Sequence, residues 1–70
     1  MINEGILKSG TDSVSRFIKI YSGLPIEERS QVIAVLNDQP INWNMAYREI
    51  KQSTELGKHI LQTLEKLGII

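Results

Sequence analysis

Residues 40–70 read PINWNMAYREIKQSTELGKHILQTLEKLGII, nearly half of a 70-residue chain, and the way this stretch folds decides the rest. Wound as helix, its apolar side chains fall on one stripe: Trp43, Ala46, Tyr47 and Ile50, then small residues at Ser53, Thr54 and Gly57, then Ile60, Leu61, Leu64 and Leu67. Two backbones can carry that stripe. In a single helix, Trp43, Ile50, Gly57 and Leu64 recur every seven residues, and the small centre lets another backbone come close. Gly57 costs about 1 kcal/mol relative to Ala inside a helix, so something at that position wants no side chain. In the other backbone the chain breaks between Lys51 and Thr54, and the stripe belongs to two helices.

Working outward, Asn42 or Asn44 can cap the start of this stretch through a side-chain oxygen. The polar run Asn37-Asp38-Gln39 before Pro40 predicts a loop. Pro25, with Glu27 and Glu28 behind it, predicts a second helix over about 25–37, its inner face made of Ile26, the stem of Arg29, Val32, Ile33 and Leu36. Residues 31–36 are β-tolerant by composition, but nothing alternates with period two for long enough to demand a strand. Gly23 suits a helix end, and Val14, Phe17, Ile18 and Tyr21 repeat at helical spacing before it, predicting a first helix over about 3–22. Gly10 followed by Thr11-Asp12-Ser13 leaves open one long helix or a short arm plus a helix. The expected fold is all-α: one domain, residues 1–70, of three helices at about 3–22, 25–37 and 43–67, or four if the last one breaks.

A domain of this length buries only about 60% of the surface its unfolded chain exposes, so outside support is expected. There is no Cys and a single His, which leaves self-association. Eight acids balance eight bases, so the molecule as a whole has no field to draw in a polyanion or an anionic membrane, and only a local patch could. No stretch approaches the roughly 20 apolar residues of a membrane span, and the start of the chain lacks a signal-peptide pattern. The expected location is cytoplasmic, with no membrane partner. Ile2, Ile6, Leu56, Ile69 and Ile70 have no obvious place in so small a core.

From residue 29 to residue 70 the chain resembles the helix-turn-helix core of winged-helix regulators. Residues 29–37 would be the supporting helix, 44–50 the first helix of the motif, and Thr54 or Glu55 to Leu67 the recognition helix. The ending ILQTLEKLGII is similar to the way that helix closes, with Leu61 and Leu64 inward, Gly68 as the stop and Ile69-Ile70 as the start of a strand. The chain departs from the family at Tyr47, where a small residue is usual, at Lys51 and Gln52 in the turn, and at Gly57, where an aliphatic is usual. The wing hairpin is absent. The resemblance implies DNA binding, with Lys51 and Lys58 on phosphates and Thr54, His59 or Gln62 near base edges.

No residue set announces a chemistry. A triad needs a base, an orienting carboxylate and a nucleophile in a pocket, and His59 with Ser53 in a small helical domain supplies no such enclosure. Glu55 and His59 one turn apart offer two metal ligands at most, and the five glycines stand singly, so no phosphate loop is present. No enzyme activity, cofactor, metal or small-molecule substrate is expected. The leading expectation is a small non-catalytic regulatory or adaptor protein, a homodimer that presents a helix face to itself and to another protein through Trp43, Tyr47, Ile50, Gly57, Leu61 and Leu64. Its alternative is a DNA-binding helix-turn-helix transcriptional regulator.

Overall fold

The run Val32-Ile33-Ala34-Val35-Leu36 holds three β-branched residues, whose stiff side chains pack better on a pleated surface than around a helix. Asn37 and Asp38 follow, both of types that tolerate the left-handed backbone. In the computed structural model, which describes the backbone of residues 3–70 and the side chains from residue 13 onward, these residues make a hairpin. Strand β1 (Val32–Leu36) pairs antiparallel with β2 (Gln39–Asn42), and Asn37 and Asp38 join them at φ 52° and 65°, the two positive values of a type I′ turn.

The protein is therefore mostly helical but α+β, which corrects the all-α expectation. The helix expected over 25–37 is replaced by one turn of 3₁₀-helix, Ile26–Ser30, followed by extended backbone at Gln31. Ile26 and Val32, assigned to the inner face of that helix, are 77% and 57% exposed. The pairing runs Leu36 with Gln39, Val35 with Pro40 and Ala34 with Ile41, then slips at a bulge so that Val32 meets Asn42. Ile41 is fully buried beneath it.

Helix α1 (Asn3–Gly23) is continuous through Gly10 and Thr11, one of the two readings left open above. Its described inner side carries Ser13 and Phe17, both buried, with Ile18, Ile20 and Tyr21 half-buried; Val14 turns outward. The stretch 43–67 is broken. It forms α2 (Trp43–Lys51) and α3 (Glu55–Lys66), separated by Gln52, Ser53 and Thr54.

Four elements meet in one core: Phe17 from α1, Ile41 from β2, Trp43, Ala46 and Ile50 from α2, and Ile60 and Leu64 from α3. Burying each large side chain is worth about 1.5–3 kcal/mol, so these residues carry much of the fold. Phe17 lies against Trp43 with ring centroids 5.7 Å apart. Leu56, Ile69 and Ile70 find places partly buried against this core, while Ile2 and the side chain of Ile6 lie outside the described residues. The end of the chain is tied to α1. The Ser13 hydroxyl donates to the Glu65 carboxylate, Arg16 pairs with the same carboxylate at 3.8 Å, and Arg16 Nη1 donates to the Ile70 carbonyl at 3.3 Å. Among the described residues, no helix is long and apolar enough to cross a membrane.

Candidate functional site

The unit formed by α2, its turn and α3 is fixed by short-range polar groups. Asn42 caps α2, its side-chain oxygen accepting from the Met45 N–H at 2.8 Å, which satisfies one of the donors left over at a helix start. Asn44, the other candidate cap, instead accepts from the Tyr21 hydroxyl at 2.7 Å. At the far end the Gln52 N–H still reaches the Arg48 carbonyl at 3.1 Å, and Ser53 then turns the chain at φ 55°. Thr54 starts the next helix. Its hydroxyl accepts from the Gly57 N–H at 2.9 Å and donates to the Glu49 carboxylate at 2.6 Å, so one side chain caps α3 and ties it back to α2.

That tie brings the first turn of α3 onto the last turn of α2. A Cβ on Gly57 would stand 2.3 Å from the Glu49 carbonyl oxygen. This is the neighbour that the sequence implied when it placed a glycine inside a helical stripe.

With Gly57, Ile60 and Leu64 turned inward, the opposite face of α3 presents Glu55, Lys58, His59, Gln62 and Lys66, all exposed. Arg48, Lys51, Gln52 and Ser53 are exposed at the end of α2 and in the turn. Of the residues assigned to DNA contact, Lys51, Lys58, His59 and Gln62 thus lie on the surface, three of them along one face of α3. Thr54 is half-buried with its hydroxyl engaged in the cap. Lys58 and Glu55 stand 3.7 Å apart, well exposed to solvent, a pair worth no more than about 1 kcal/mol.

The residues assigned to a protein interface fall differently. Trp43, Ile50, Gly57 and Leu64 are covered by the chain itself, and Tyr47 and Leu61 are half-buried. Among the described residues, the large apolar side chains left exposed are Val14, Ile26, Val32, Val35 and Leu67.

Tyr47 belongs to a stack that joins three segments. Its ring lies 4.3 Å from that of Tyr21 and nearly parallel to it; the Arg29 guanidinium sits 4.4 Å from the Tyr21 centroid and the Lys51 ammonium 5.5 Å from that of Tyr47. Stacked rings and cations of this kind contribute roughly 0.5–1.5 kcal/mol per contact. The stack holds the 3₁₀ turn and α2 against the end of α1. Sequence reading missed it, because the partners lie far apart along the chain and only the shared aromatic type hinted at a meeting.

No protein-family model, curated protein or solved structure matches the chain. Among the described residues, no group of three His, Asp or Glu side chains could hold a metal ion, and Ser53 and His59 both stand in the open. What the surface offers is a short, stiff helix whose outward face is polar, set at a defined angle by its caps and by the close contact at Gly57.

Proposed function

We propose that α2, the turn and α3 act as a helix-turn-helix that docks on duplex DNA, with α3 as the helix that enters the major groove. The observation that carries this reading is the break at Gln52–Thr54, which frees α3 as a separate helix with Lys58, His59 and Gln62 along its exposed face. In this reading Lys51 and Lys58 meet phosphates, and His59 and Gln62 reach base edges. Thr54 holds α3 in place as its cap. The test is fluorescence anisotropy of a labelled duplex of mixed sequence across a salt series. Binding at low salt is expected, with Lys58→Ala reducing the slope of log affinity against log salt by about one and Lys19→Ala, on α1, leaving it unchanged. No binding at low salt overturns the proposal.

A second reading, a non-catalytic adaptor that offers a helix face to another protein, is favoured by Leu67, which is 59% exposed just past the end of α3. Leu61 lies half-buried earlier on that helix. In that case Leu67→Ala weakens partner capture and Lys58→Ala leaves DNA affinity untouched. A strict monomer by sedimentation that captures no protein removes this reading.

A further inference from the structure

We propose that the outer edge of β1 is a self-association surface, and that its occupant is β1 of a second copy of this chain, paired antiparallel about a two-fold axis at Val35. The inference is independent of DNA binding and begins with the hydrogen-bond pattern of the hairpin. Among the described residues the sheet has two strands, so each has one edge without a strand partner there. Pro40 lies opposite Val35 and has no N–H to give, which makes this a non-hydrogen-bonded pair. In such a pair the backbone groups of both residues point away from the partner strand. The N–H and C=O of Val35 therefore face outward, and among the described residues no backbone-to-backbone hydrogen bond outside the ladder ends on any residue of β1.

The two edges are not equivalent. On the outer edge of β2 the missing N–H of Pro40 leaves a gap, one of the usual ways to stop a further strand from adding. Across β1, from Val32 to Leu36, there is neither proline nor charge. One open edge and one blocked edge give an assembly that closes at two copies instead of growing into a filament.

The side chains agree with the same occupant. Val35, 64% exposed, and Val32, 57% exposed, stand on the face of the hairpin turned away from the core. A two-fold at Val35 sets that valine beside Val35 of the second copy and pairs Ala34 with Leu36 of the second copy, small against large. From residue 31 to residue 41 the only charge is Asp38, in the turn, so the two copies meet without repulsion. A two-stranded ribbon is marginal alone, and four strands with a shared apolar face are not.

The test uses the full chain. Sedimentation equilibrium is expected to show a dimer for the natural protein, monomers for Val35→Lys and for Val35→Glu, and a restored dimer when the two variants are mixed in equal amounts, because the axis sets residue 35 against itself. A monomeric natural protein, a dimeric Val35→Lys, or a mixture that stays monomeric overturns the proposal. Should either variant lose its circular-dichroism signature of folding, hydrogen exchange at the Val35 amide of the natural protein decides the matter. Exchange that slows as protein concentration rises supports the pairing, and fast exchange at every concentration overturns it.

Discussion

Replacing Gly57 by Ala tests the central contact between α2 and α3. The added Cβ would lie 2.3 Å from the Glu49 carbonyl oxygen, 2.6 Å from its carbon and 3.0 Å from the Ile50 nitrogen. All three atoms are backbone, so no change of rotamer relieves the clash, and α3 has to back away from α2 by about 1 Å to reach ordinary contact. Moving it loosens the core that Ile60 shares with Ile50 and stretches the bond from the Thr54 hydroxyl to Glu49. Overpacking of this kind costs about 1–3 kcal/mol and a weakened hydrogen bond about 1 kcal/mol, while the better helix propensity of Ala returns about 1 kcal/mol.

The net expectation is a loss of about 1–3 kcal/mol, a large fraction of the roughly 3.5–10 kcal/mol that a domain of this size possesses. Urea denaturation followed by the fluorescence of Trp43, the sole tryptophan and a core residue, reads it directly. Each kcal/mol lowers the thermal midpoint by about 4–8 °C. Two further glycines separate crowding from backbone strain. Gly23 has nothing within 4 Å of an added Cβ, so Gly23→Ala should be neutral. Gly68 has equal room but stands at φ +73°, so Gly68→Ala should cost about 1 kcal/mol through its dihedral alone. A Gly57→Ala protein as stable as the natural one, or more so, would show that the two helices do not approach as described.

Thr54→Ala removes both halves of the link between the helices and should cost about 1–2 kcal/mol in the same urea titration, whereas Thr54→Ser, which keeps the hydroxyl, should recover most of it. Asp38, at φ 65° in the hairpin turn, should lose about 1 kcal/mol on replacement by Ala and nothing on replacement by Gly, as read by hydrogen exchange at Ile41 in β2.

Much of the architecture could be read from local chemistry, and the failures have a common cause. The helical span of α1 and the demand for a bare backbone at Gly57 are short-range features, set by residues within a turn or two of one another, whereas the choice of Asn42 over Asn44 as cap and the break near Ser53 stay open in the sequence alone. The hairpin is also short-range, but its bulge hides it. Inward-facing Ile33 and Leu36 are three residues apart, because the bulge shifts the period-two pattern, and that spacing imitates a helix face. The exposed set on α3 followed from a helical wheel. The cover over Trp43, Ile50 and Leu64 did not, since one stripe read as a single surface becomes two surfaces facing each other once Ser53 turns the chain.

The same geometry bears on the objection that a chain with no net charge makes a poor partner for DNA. The acids are not spread evenly. Glu49 is held by Thr54, Glu65 is drawn toward Ser13 and Arg16 on α1, Glu27 and Glu28 lie on the 3₁₀ turn, and Asp38 sits at the hairpin tip. Glu55 shares the outward face of α3, with Lys58 beside it, and Glu65, exposed one residue before Lys66, borders that face. The lysines at 51, 58 and 66 thus stand on a surface that two exposed acids, Glu55 and Glu65, share, and its margin of positive charge is small. Three phosphate contacts correspond to a salt slope of only about −2.7, far short of what tight non-specific binding requires. If α3 docks on DNA, the remaining affinity has to come from base contacts by His59 and Gln62, or from a second α3 delivered by pairing at β1. The first route makes binding strongly dependent on sequence, and the second makes it depend on the distance between two half-sites.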